Sequence, residues 1–265
     1  MKNIITIGQF FLLFVAVVLV GAIAEAAPSK SALDIIKRAE LNAAGFTDMV
    51  NRVSMILRDQ DGNSSEREML IKVLALDDGQ SKSLTIFTKP SREKGIALLT
   101  HTHATENDEQ WLYLPASKRV KKIASNKLGA SFRGSEFTYE DISNQDNDQY
   151  RFELVSEEDC GSSRCFVVDR FPVFSESSYS RTRLYIDTVQ YLLQKGEFFD
   201  KEKKLLKTMA ATNYQKHSNG LWKPESLMMT NSQTHKSTEL KTQDLQFDVG
   251  LQEKEFSRLS LRKIR

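Results

Sequence analysis

From Met49 onward the polar and apolar residues of this chain alternate in short runs separated by turn chemistry. In MVNRVSMILR, Met49, Val53, Met55 and Leu57 fall on one face and Arg52, Ser54 and Arg58 on the other, the two-residue repeat of a half-buried strand. Comparable runs follow as MLIKVLAL, SLTIFT, GIALLTHTH, QWLYL, RVKKIA, YRFELV, CFVVDRF, RTRLYI, YLLQKGEFF, LLKTMAATNY, LWKPESLMMT and HKSTELKTQDLQF. Between them lie DQDGNSS, DDGQSK, KPSREKG, ATENDE, DKEKK and HSNG, whose residues favour turns. Connections this short exclude parallel crossovers. The pattern therefore predicts a mainly β fold, one large antiparallel sheet, sandwich or barrel.

Helical spacing is confined to the N-terminal side. SALDIIKRAELNAA, residues 31–44, has Ser31 as its cap, Leu33, Ile36 and Leu41 roughly on one stripe, and Gly45 as its stop. Several strands are apolar on both faces: MLIKVLAL puts Met69, Ile71 and Val73 on one side and Leu70, Leu74 and Leu76 on the other. Both faces then need cover. Only the N-terminal helix, the segment 137–142 and a short piece near 256–261 are on hand to supply it. Many strands with so few helices to fill the middle predict a curved sheet around a cavity.

The ends and the cysteines set the compartment. Lys2 is followed by the apolar run FFLLFVAVVLVGAIA and then EAAPSK, the layout of a secretory signal peptide. Cleavage after Ala26 divides the chain into a leader, 1–26, and a single domain, 27–265; cleavage after Ala24 and an uncleaved anchor are the alternatives. No cysteine stands at the cleavage site to carry a lipid, so the expected product is a soluble periplasmic protein. Cys160 and Cys165, the only two cysteines, flank a tight turn between strands. Export into an oxidising compartment favours a disulfide over a metal pair or a redox site. The formal net charge of +2 names no partner.

The middle of the chain carries the most specific signal. QWLYL and RVKKIA read as a hairpin across PASK, followed by a loop, SNKLGASFRGSEFTYEDI, in which Gly129 and Gly134 permit left-handed or close-approach geometry. Phe132, Phe137 and Tyr139 each contribute on the order of 2 kcal/mol if buried, so this loop must pack on something. Glu136, Glu140 and Asp141 suit the positive end of a helical turn starting there, and they can also face Lys118, Arg119, Lys121 and Lys122 of the hairpin, docking loop and hairpin together.

WLYLPASKRVKKIAS followed by SFRGSEFTYEDI resembles the signature of the outer-membrane lipoprotein-sorting proteins. The likeness extends more weakly through KPSREKGIALL, CFVVDRF and LYIDTVQYLLQKGEFFDKEKKLLKT. Glu136 stands where that pattern usually has Asp, and Arg133 where an apolar residue is expected. The resemblance implies a LolA/LolB-like periplasmic lipoprotein carrier fold: an incomplete, half-open antiparallel barrel with an N-terminal helix and short lid helices over an apolar cavity. It also implies a non-enzymatic carrier, a monomer that binds lipoprotein acyl chains or other lipid in transit between inner and outer membrane. An inner-membrane transporter of the resistance-nodulation-division (RND) type is the expected partner. The alternatives are a lipid sensor and an accessory subunit of such a transporter.

On this reading Trp111, Tyr113, Phe132, Phe137 and Tyr139 line the cavity or its lid; for Trp111 and Tyr113, which share a strand face, the alternative is simple core packing. Lys118, Arg119, Lys121 and Lys122 touch a membrane or partner transiently, each base being worth about 1 kcal/mol near an anionic surface; the plainer account is a solvated edge hairpin. His101 and His103 share a strand face at a spacing that metals use, but the sequence points to no third or fourth ligand, so no metal and no cofactor are assigned. Outside the cytoplasm nucleic acid is not a partner. No nucleophile elbow, zinc-protease helix, phosphate loop or dinucleotide fingerprint occurs.

Overall fold

The computed structural model describes residues 30–103, 108–143, 147–161 and 163–264. The predicted leader, residues 1–26, lies outside them. Ser31–Arg265 forms one compact unit. Helix α1 (Ala32–Ala43) is followed by six strands: β1 (Asp48–Arg58), β2 (Ser64–Ala75), β3 (Ser81–Lys89), β4 (Ala97–Thr102), β5 (Glu109–Leu114) and β6 (Arg119–Lys122). A long connection leads to β7 (Tyr150–Asp159), β8 (Arg164–Pro172), β9 (Arg181–Asp187), β10 (Leu193–Phe199), β11 (Leu205–Lys216), β12 (Trp222–Asn231) and β13 (Ser237–Phe247). A 3-10 turn (Glu253–Phe256) and the short helix α2 (Arg258–Leu261) close the chain.

All strands join one antiparallel sheet in the order β6-β5-β4-β3-β2-β1-β13-β12-β11-β10-β9-β8-β7. Each half is a simple meander, and the halves are joined where β1 pairs with β13 along Met49↔Phe247 to Arg58↔Ser237. The sheet does not close, so β6 and β7 are its two edges. The chain must nevertheless pass from one edge to the other, and the connection between them crosses the open side. That crossing is the lid.

The period-2 alternation assigns the faces. Met55, Leu240 and Leu227 are partners across β1, β13 and β12 and point to the concave side. There Val53, Met55, Met69, Phe87, Ile96 and Leu98 form a core with lid residues Phe132 and Tyr139. Phe137 of the same lid packs on the other half, with Tyr179, Phe198 and Met229. The convex face of the first half is covered by the C-terminal segment, where Phe256 and Leu261 cap Leu84, Ala97 and Leu99.

Helix α1 begins as expected, with Ser31 Oγ accepting from the Asp34 backbone N–H. Its buried stripe is Ala32, Ile35 and Ile36, which pack on Phe166, Val168 and Ile186. The expected stripe is thus corrected by rotation: Leu33 is 37% and Leu41 67% exposed. Short residues at 32 and 39 let the helix lie close to the sheet, and the leucines are left outside.

The short lid helices are 3-10 turns. Among the described residues the connection holds two of them, Ser125–Lys127 and Asn147–Gln149, together with reverse turns. Its backbone groups pair within the loop, Phe132 N–H to Phe137 O at 2.7 Å and through a Ser131–Thr138 bridge. Arg133 and Gly134 both adopt positive φ at its tip. Gly129 serves a close approach: a Cβ there would stand 2.6 Å from Ser178 Cβ. Cys160 and Cys165 are joined in a disulfide across the β7–β8 turn.

Candidate functional site: a lidded cavity on the concave face

A cavity of about 1050 Å³ lies between the concave sheet, the lid and the C-terminal end of α1. This is at the upper end of the roughly 300–1,000 Å³ common for small-molecule sites. Strand parity decides its lining. Met69, Ile71, Val73 and Ala75 of β2, Ser81, Ser83 and Thr85 of β3, and Leu98, Thr100 and Thr102 of β4 all point inward. Met55, Leu240, Phe132, Phe137 and Ile142 close the deep end. Leu41, Ala43, Ala44 and Phe46 line the mouth together with Leu76, Gly79 and Gln80 of the β2–β3 turn.

Of the residues expected at the ligand, Phe132 and Phe137 line the cavity, and Tyr139 packs edge-on behind Phe132 with ring centroids 5.7 Å apart. Trp111 and Tyr113 do not belong with them. They pair with Leu99 and Ala97 on the convex face and sit beneath Phe256 and Leu261. The correction follows from register: the inward positions of β5 are Gln110 and Leu112, opposite Thr100 and Leu98.

The two histidines separate as well. His101 Nε2 lies 2.7 Å from Phe256 O and its ring stands edge-on to Trp111, holding the C-terminal segment. Burial pushes its pKa below the ordinary imidazole value. His103 lies at the cavity rim beside Glu109.

The acids of the lid do not face the basic hairpin; this expectation too is corrected. Asp141 forms an ion pair with Lys207 at 2.6 Å and accepts from Tyr179 Oη at 2.8 Å and Thr138 N at 2.7 Å. Glu140 accepts from Ser177 Oγ and from Ser178 N and Oγ. Glu136 accepts from Asn231 Nδ2, and its backbone N–H donates to Thr238 Oγ1. All three reach toward the second half of the sheet, while Phe132 and Tyr139 of the same lid pack on the first. Lys207 Nζ also donates to Glu136 O at 2.9 Å and stands over the Tyr179 and Phe198 rings. On the other side, Arg133 at the lid tip faces Glu93, which pairs with Arg67.

Lys118, Arg119, Lys121 and Lys122 are exposed on or beside the edge strand β6. Lys122 pairs with Glu109 at 2.5 Å and lies over the Trp111 ring. A lysine-rich edge of this kind blocks pairing with another sheet.

Among the described residues, an unclosed antiparallel sheet, one substantial helix and a crossing lid over a cavity define the class of open-barrel binding folds. The chain is similar to an outer membrane lipoprotein-sorting protein domain from Vibrio parahaemolyticus, at 38% identity over 87% of this chain and 98% of that one, with a TM-score of 0.84. It therefore belongs to the outer membrane lipoprotein-sorting family. A DUF1329 family protein from Desulfovibrio piger shares the fold at 24% identity and TM-score 0.81, covering 88% of this chain and all (100%) of the other. So does a LolA superfamily protein from Nitrosomonas europaea, at 18% identity and TM-score 0.70, over 88% and 100% of the two chains. A family model described as an uncharacterized protein matches residues 79–263. No curated protein matches the chain.

Proposed function

We propose that this protein is a non-enzymatic periplasmic carrier that shields the acyl chains of a lipoprotein or another lipid during transfer between membranes. The observation that carries this reading is the cavity itself: about 1050 Å³, apolar at its deep end, and continuous with an open mouth beside α1. Each methylene moved from water into such a lining contributes about 0.8 kcal/mol, so a chain of ordinary length has ample driving force. The LolA-type fold and membership of the lipoprotein-sorting family support the same cargo class.

The lid's two sides are fixed by buried polar contacts, whereas the mouth is bordered by turns and by the exposed side chain of Leu41. Cargo therefore passes at the α1 end, and the lid acts as a roof. The basic edge at Lys118, Arg119, Lys121 and Lys122 is the surface for transient contact with a membrane or a transporter partner, and the working form is a monomer exported by residues 1–26.

The test is transfer. Protein loaded with a radiolabelled lipoprotein or phospholipid is mixed with acceptor vesicles and re-isolated. Passage of label to the vesicles is the carrier result. Retention of label, with stable capture of a membrane protein, is the sensor result and would overturn the proposal.

A further inference from the structure

The cavity changes character along its length. Its deep end is Met55, Met69, Phe132, Phe137 and Leu240. Toward the mouth, the inward positions of β3 and β4 are hydroxyls: Ser81 is partnered with Thr102 and Ser83 with Thr100, and Thr85 stands one step further in. A hydrocarbon tail gains nothing from such a wall, since it leaves hydroxyls facing an apolar partner.

On the other side of β1, two strands away, β12 brings Lys223 to the same mouth. Its Nζ donates to Ala43 O at 2.8 Å and stands 5.2 Å from the Phe46 ring centroid. Among the described residues no carboxylate lies within ion-pair distance of this ammonium, and burial pushes its pKa below the ordinary lysine range. The other charged groups lining the mouth are Lys37 and Glu40, and Glu40 accepts from Asn147 Nδ2. Helix α1 has no base in its last turn, so Lys223 also faces the negative end of the helix. That contact is weaker than the cost of drying an ammonium, which an anion of the cargo would offset.

We propose that the cargo is an amphiphile with an anionic head, carboxylate or phosphate, and that Lys223 pairs with this head while the hydroxyl wall solvates it and the tail fills the deep end. The proposal rests on the reading of the cavity as an acyl-chain site.

Delipidated protein is titrated with hexadecanoate, with lysophosphatidic acid and with hexadecanol, which share a long chain and differ in the head. The protein is expected to bind at least one anionic probe about tenfold tighter than the alcohol, the change a charge-assisted hydrogen bond makes. Tight binding of the carboxylate alone identifies a fatty acid as the source, and of the phosphate alone a phospholipid. K223M should erase the preference, lowering affinity for the anionic probe far more than for hexadecanol, and K223R should keep it. Equal affinity for all three probes in the unaltered protein overturns the proposal and leaves the carrier reading standing. So does an equal loss for all three in a K223M protein whose urea midpoint has not moved. Failure of every probe to bind overturns both.

Discussion

The pairing of Lys207 with Asp141 gives a sharp test of how the lid is held. Lys207 is only 2% exposed, and its ammonium meets the Asp141 carboxylate at 2.6 Å within a wall made by Tyr179 and Phe198. Removing one partner of a buried pair costs about 3–5 kcal/mol, because the other charge is left without compensation. In Lys207→Met the Asp141 carboxylate would still accept from Tyr179 Oη and Thr138 N, which places the expected loss near the lower end, about 3 kcal/mol. With a urea slope of about 3 kcal/mol/M for a domain of this size, the midpoint should fall by about 1 M. The double variant Lys207→Met/Asp141→Asn removes both charges and should recover more than half of that loss. The difference is the coupling read by a double-mutant cycle. A single-variant loss below about 1 kcal/mol, or a double variant no better than the single, would refute the claim that this pair pins the lid.

Other consequences follow from particular contacts. Gly129→Ala sets a methyl group 2.6 Å from Ser178 Cβ, and Ser178 is itself held by Glu140, so the lid must shift. The expected loss is about 1–3 kcal/mol by urea denaturation, and no change would mean the lid is looser than drawn. Reducing the Cys160–Cys165 disulfide should cost roughly 2 kcal/mol, the loop-closure value for so short a ring, seen as a fall of several degrees in Tm. Val73→Trp extends an indole into the cavity from the middle of β2, and should abolish acyl-chain binding while changing stability by only about 1 kcal/mol. Binding that survives it would move the site elsewhere.

The sheet was legible because alternation is a direct record of burial: every predicted strand run corresponds to an observed strand, from Met49 to Phe247. The crossing lid could also be read, since three large aromatics in a glycine-bearing loop demand a surface to bury them. What the sequence did not disclose was which face of each strand looks inward. Trp111 and Tyr113 have the same alternation whether they line the cavity or lie under α2. Only the register with Leu99 and Ala97, together with the distant Phe256, decides it.

The same limit misdirected the lid acids. Glu136, Glu140 and Asp141 are near the basic hairpin in sequence, but strand order carries them to Asn231, Ser178 and Lys207. Lys207 did leave a trace. It shares strand parity with Met209 and Ala211, and a lone lysine on an apolar face needs a buried partner. Lys223 left none, because its neighbours Ala43 and Phe46 are far away along the chain.

The central claim is that the concave face holds acyl chains, and the most direct measurement is native mass spectrometry of the protein purified from its own periplasm, beside the Val73→Trp variant. The account predicts a co-purifying lipid-sized adduct on the unaltered protein that is absent from the variant. A protein that emerges empty in every preparation, or an adduct that persists with the cavity plugged, would contradict it.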